Sequence, residues 1–290
     1  MKHPQFFLIP VLSLVLFACQ PEQKIIIVPD NTAPPDYSVP QAVKENYINK
    51  LYITLLGRKP TSVEFAAGID ILDTDNASEE NRETLMDIIL NDPDYYRRMY
   101  DIARVEILNN LDTTEITFQI AVFTDLLDEP IYEPFYEYII FEINRLKDLK
   151  AVPALLTSGQ IGRVEMHRRF VNNSFYDEIN MGTQNFVLSL FEYFLNRYPS
   201  DAEEAACIAM VDGADVIVFG QEGHDKQDFM DIFFESDNYY EGQVIDIYQD
   251  FLFRSPNSLE MSTATIAYKT DSDYKKLLKT ILTTDEFLGI

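Results

Sequence analysis

One short pattern is written three times in this chain, and it dictates what the chain can fold into. Leu51 to Glu64 reads LYITLLGRKPTSVE, Leu190 to Glu203 reads LFEYFLNRYPSDAE, and Ile247 to Glu260 reads IYQDFLFRSPNSLE. The copies align on Arg58-x-Pro60, Arg197-x-Pro199 and Arg254-x-Pro256, with an aromatic six residues before each arginine: Tyr52, Phe191 and Tyr248. Leu55/Leu56, Phe194/Leu195 and Phe251/Leu252 follow at the spacing of one helix face. A proline pushes the residue before it out of the helical region, so each helix is predicted to stop there. Thr61, Ser200 and Asn257 then stand three residues ahead of Glu64, Glu203 and Glu260, the signature of a reciprocal helix N-cap. Each copy therefore predicts a helix, a proline turn and a capped second helix. The arginine is placed in the last turn of the first helix, where its charge complements the helix dipole. There it serves the fold and comes within reach of the glutamate across the turn.

A second pattern repeats downstream. LMDIILNDPDYY (Leu85 to Tyr96), FMDIFFESDNYY (Phe229 to Tyr240) and LLKTILTTDEFL (Leu277 to Leu288) align without gaps. Each is an apolar helix, a polar break at Asp92, Ser236 or Thr284, and an aromatic or apolar restart. RRFVNNSFYDE (Arg168 to Glu178) is a weaker fourth copy with Asn172 or Asn173 at the cap. The restart after Tyr240 runs straight into VIDIYQDFLFR, so the last helix of one repeat serves as the first of the next. Units of this kind cannot bury their faces alone and must stack on neighbours. The expected fold is all-α: stacked helical hairpin repeats.

The N-terminus reads differently. MKH precedes the apolar run Phe6 to Ala18, which is too short to span a bilayer as a helix and matches a signal h-region. Leu16-Phe17-Ala18-Cys19 resembles the lipobox of bacterial lipoproteins. That resemblance implies cleavage before Cys19, lipidation of Cys19 and a place in the bacterial cell envelope, anchored to the outer membrane. Pro21, Pro29, Pro34, Pro35 and Pro40 then describe a tether reaching on the order of 60–70 Å. The expected organisation is a signal peptide at 1–18, lipidated cysteine and tether at 19–42, a first helical lobe with an insert at 43–160, and a second lobe at 161–290. With Cys19 lipidated, Cys207 has no partner for a disulfide within the chain, and its Ala-rich surroundings read as core.

The repeat itself, LY..LLGR.PT..E followed by L...L..DP.YY, resembles a helical repeat of uncharacterised function in exported and surface-layer-associated bacterial proteins. The first copy also resembles a domain found beside cytochrome c modules in planctomycete proteins. The resemblance covers Leu51 to Asn109 and Leu190 to Ile290 and brings no catalytic residues with it. The chain has no Cys-x-x-Cys-His for haem attachment, and no cofactor is expected.

Charge and residue types narrow the function classes. A formal net charge of −25 repels phosphate backbones, so nucleic acid is not an expected partner. His167 and His224 lie far apart and do not make a metal spacing. Asp73 and Asp75 only faintly resemble a calcium loop, because Ser78 and Thr84 replace the required glycine and glutamate. The densest polar cluster is VEMHRRFVNNSFYDEINMG, where His167, Arg168, Asn172, Asn173, Tyr176 and Asp177 are candidate ligand-binding residues. The same residue types also suit a helix end, a capped turn and a helix start. Between the repeats, Leu111 to Gln184 is an aromatic insert broken at Pro130 and Pro134, with AVPALLTSGQIG read as a loop. The leading expectation is a non-enzymatic, membrane-tethered adaptor or scaffold that holds an envelope protein partner. A glycan- or ligand-binding lipoprotein is the alternative, and a hydrolase with its site in the insert is a third.

Overall fold

The computed structural model describes residues 38–290. The expected signal segment, Cys19 and most of the expected tether lie outside these residues. Helix α1 starts at Gln41, directly after Pro40, so Gln41 and Ala42, expected in the tether, belong to the fold.

The described residues are all-α apart from one hairpin. In chain order they are α1 (Gln41–Leu51), α2 (Ser62–Thr74), α3 (Glu79–Leu90), α4 (Pro93–Leu108), α5 (Thr113–Leu126), α6 (Tyr136–Thr157), α7 (Arg163–Val171), α8 (Ser174–Ile179), α9 (Thr183–Leu190) and α10 (Asp201–Val211). The strands β1 (Val216–Val218) and β2 (Gln221–Gly223) follow, then α11 (Lys226–Glu235), α12 (Asp237–Leu252), α13 (Ser258–Asp271), α14 (Tyr274–Leu282) and α15 (Asp285–Leu288). The strands pair antiparallel through a two-residue turn, Phe219-Gly220, with φ of 49° and 82°. Positive φ at both positions matches the twist of a tight hairpin.

The repeat occurs four times, one more than the arginine pattern reveals. Each unit starts with a helix that ends in a left-handed residue: Gly57, Asn109, Asn196 or Phe253. A capping box then opens the second helix, built by Thr61/Glu64, Asp112/Glu115, Ser200/Glu203 and Asn257/Glu260. The next restart is capped in turn by the side chains of Asp92, Asn173, Ser236 and Thr284. Asn173, not Asn172, makes the second of these caps. The copy at Asn109 lacks both arginine and proline, and Arg104 takes over by donating to the carbonyls of Asn110 (3.0 Å) and Leu111 (3.3 Å).

The left-handed residue corrects one expectation. Each repeat arginine lies just past the helix end, not in its last turn. In the first and third units the helix closes with a π-helical turn, Tyr52–Leu56 and Phe191–Leu195. A second correction concerns AVPALLTSGQIG. Helix α6 runs through Pro153 to Thr157, leaving only a short loop. Burial of Leu149, Val152 and Leu156 along one face outweighs the hydrogen bond that Pro153 removes.

The core is continuous. Buried side chains from Tyr47 to Leu288 form a single cluster, so the two lobes expected on either side of residue 160 share one interior. The first and last units also touch. The Tyr47 hydroxyl donates to the Leu282 carbonyl at 2.9 Å, the Tyr47 and Phe287 rings meet edge to face, and Arg82 pairs with Asp285 at 2.8 Å. The array of repeats is closed rather than open-ended.

Candidate functional site

The nine residues of the threefold pattern build clips within the fold. Arg58 holds Glu64 with two hydrogen bonds of 2.9 and 2.8 Å, Arg197 holds Glu203 at 3.0 and 2.7 Å, and Arg254 holds Glu260 at 2.8 and 2.7 Å. Each guanidinium lies over the aromatic six residues before it, Tyr52, Phe191 or Tyr248, and donates to the carbonyl of the next residue. The outer edge of each arginine reaches one further repeat position at the start of the restart helix: Asp94 (2.7 Å), Asn238 (3.3 Å) or Glu286 (2.6 Å). One side chain thus joins a helix end, a capped turn and the next unit. Pro60, Pro199 and Pro256 shape the turn that brings glutamate and arginine together. Their arginine partners hold the carboxyls of Glu64, Glu203 and Glu260 down at about 2. In the second unit, where the arginine is missing, Phe175 occupies the acidic restart position, so anchor and partner are absent together.

The candidate ligand-binding residues disperse. Asn173 and Tyr176 are buried, the first as a cap and the second bonded to the Ser189 hydroxyl at 2.7 Å. Arg168 pairs with Asp231, Asn172 accepts from Arg145 at 3.0 Å, and Asp177 pairs with Lys226. Only Arg168 and Asn172 share a shallow polar cleft, of about 130 Å³. His167 turns the other way. It is buried, bonded to the Tyr239 hydroxyl at 2.9 Å, and kept neutral by burial and by Arg163. These contacts follow the fold, and they do not assemble one pocket. His224 stands apart on the surface beside Asp215. Asp73 pairs with Lys44 at 2.8 Å, and no group of three or more possible metal-binding side chains occurs among the described residues. Cys207 is fully buried, which pushes its thiol up to about 12, as fits a core residue.

Two features stand out beyond these. The first is the insert. Helix α5 fully buries only Ile116, with Ile120 and Phe123 packed half-buried against the core, while α6 inserts Leu146, Leu149, Val152 and Leu156 from its C-terminal half. Phe118, Ile131, Phe135, Tyr138, Ile140 and Phe141 are exposed on the insert, with Tyr138 at 60% and Phe118 at 69%. From Val105 to Asn144 the chain has nine carboxylates and no lysine or arginine. The face is aromatic and predominantly acidic: Glu142 is buried against Arg145, whose guanidinium lies over Phe141 at 4.9 Å, and Glu106 turns to the interior.

The second is a cavity of about 340 Å³ lined by all four units. The two π-helical turns bound it with Thr54 and Leu55 on one side and Tyr193 and Phe194 on the other. Glu106 from α4 and Asp250 from α12 occupy the same repeat position, as do Arg163 from α7 and Tyr274 from α14. The Arg163 guanidinium stacks on Tyr274 at 4.3 Å and donates to Gln243 at 2.8 Å. Asp246 accepts from Asn196 at 2.6 Å. Burial raises the carboxyls of Glu106 and Asp250 and lifts that of Asp246 to about 6. The sequence placed His167 among candidates but missed the others, because they come from helices far apart in the chain. Among the described residues no helix is long and apolar enough to cross a membrane. No family model, curated protein or solved structure matches the chain.

Proposed function

We propose that this protein is a lipid-anchored envelope scaffold that holds a protein partner on the acidic aromatic face of its insert. The observation that carries the reading is the exposed series Ile131, Phe135, Tyr138 and Phe141 in a stretch of the chain without a single basic residue. Exposed apolar patches of this kind mark interaction surfaces. The surrounding carboxylates select a partner segment with apolar anchors flanked by lysine or arginine, and they repel anionic lipid. The lipobox-like Leu16-Phe17-Ala18-Cys19 and the proline-rich stretch after it supply the anchor and the reach.

Site-specific photocrosslinking in cells tests this. A benzoylphenylalanine at Tyr138 or Phe141 is expected to give one discrete protein adduct, crosslinked through a Lys- or Arg-flanked peptide. The same probe at the exposed Val63, on α2, is expected to give none. Phe135→Ser/Tyr138→Ser should abolish the adduct without lowering Tm, and Cys19→Ala should release the protein from membranes. Equal labelling at Val63, or no adduct from the insert, contradicts the scaffold reading.

A further inference from the structure

The central cavity is a second site, independent of the insert. Glu106, Asp246 and Asp250 all lie near the guanidinium of Arg163, and Glu106 also lies near that of Arg98. Across the whole lining, Glu192 adds a fourth carboxylate and Arg98 a second guanidinium. Arg163 is engaged through its Nε with Gln243 and through its ring face with Tyr274, and among the described residues no carboxylate of the lining forms an ion pair with it. A lining hydroxyl is orphaned: Tyr95 is 3% exposed and lines the cavity, and its hydroxyl has no hydrogen-bond partner. A buried polar group without a partner is costly, and the Tyr95 hydroxyl suits a ligand group that donates to it.

The chemistry of the wall selects the class. A neutral sugar leaves the excess negative charge unmet, whereas a cation neutralises it. The carboxylates are spread along two helices rather than gathered on one point. Asp246 and Asp250 lie one turn apart on α12, and Glu106 faces them from α4. Separated charges call for separated cationic groups. Between them Ile102, Phe251 and Leu278 offer an apolar wall to an aliphatic stem. We infer that the cavity binds an aliphatic diamine or polyamine, its ammonium groups held by Glu106, Asp246 and Asp250 and by the Tyr95 hydroxyl.

Calorimetric titration of the protein tests this with 1,4-diaminobutane and spermidine, against 1-aminobutane and glucose. Saturable binding of the diamine and spermidine is expected, about tenfold tighter than 1-aminobutane, with no heat from glucose. Asp246→Asn/Asp250→Asn should weaken diamine binding at least about tenfold, and Tyr95→Phe about threefold. Glu222→Gln/Glu79→Gln makes the same charge change on the surface and should bind as the parent does. Asp246 is faced by Glu106, Asp250, Arg163 and Tyr274, and affinity should fall as pH drops below about 6, where it takes up a proton. Circular dichroism checks that each variant is folded. Absence of saturable diamine binding overturns the inference. So does equal weakening by the cavity and surface pairs, or binding of glucose alone.

Discussion

At the scale of single residues, two positions carry more of the architecture than their chemistry suggests. Gly242 on α12 is one. A Cβ there would lie 1.8 Å from the Phe194 carbonyl oxygen, because α12 crosses the π-helical turn at backbone contact. The equivalent crossing in the first unit is relieved from the other side: Gly57 faces the Arg98 side chain, while Asn196, its counterpart, donates to the Gly242 carbonyl at 3.3 Å. Gly242→Ala is therefore expected to cost about 3 kcal/mol or more, measured by denaturant unfolding. Arg254 is the other, with paired hydrogen bonds to both Glu260 and Glu286. Lysine keeps the charge and loses the planar fork, so Arg254→Lys should lower stability by about 0.5–1 kcal/mol at neutral pH. The Glu260 carboxyl is held at about 2, below its ordinary 4.5, so the unfolded chain binds more protons. This contribution is present above pH 4.5 and lost as pH falls through 2, and the gap between parent and variant should close there. The arginines and their glutamates were legible in the sequence because the turn chemistry is local. Gly242 was not, since nothing near it in the chain announces the backbone that crosses it.

At the scale of elements, the capped turn is the unit of construction, and the second unit shows what survives when its marks are erased. Arginine, proline and restart acid are all replaced there, yet the left-handed Asn109 and the Asp112/Glu115 box remain. Asp-x-x-Glu before an apolar run was a readable signal, but without Arg-x-Pro it did not align. The β1–β2 hairpin escaped for a related reason: VIVFGQEG is too short to show a period, and its turn is closed by a phenylalanine at positive φ. Pro153 misled in the opposite sense, because tertiary burial of its helix overrode a local breaker. Asp112 accepts from the Thr114 amide at 2.6 Å and opens α5, the first half of the α5–α6 hairpin. Asp112→Ala should cost about 0.5–2 kcal/mol. Since α5 fully buries only Ile116, the loss should appear as faster hydrogen exchange in 113–126, with little change in α12.

At the scale of the whole molecule, closure makes one interior out of four units that could not stand alone. The last unit returns to the first through Tyr47 and Leu282, Arg82 and Asp285, and Asp87 and Lys279 at 2.9 Å. That return brings the two π-helical turns and the carboxylates of α4 and α12 around one cavity, while the aromatic face of the insert stays outside it. Helix class and repeat register were readable from period and capping, but closure was not, because its contacts join segments some two hundred residues apart. Long-range pairing of this kind leaves no local trace in composition or period. The most direct test removes the closing elements and asks whether the far end notices. In a chain truncated after Asp271, native-state hydrogen exchange should rise sharply in α1 and α3 of the first unit as well as in α12 and α13. Unchanged protection of α1 and α3 would mean an open array with independent ends, and would contradict the closed fold on which the cavity depends.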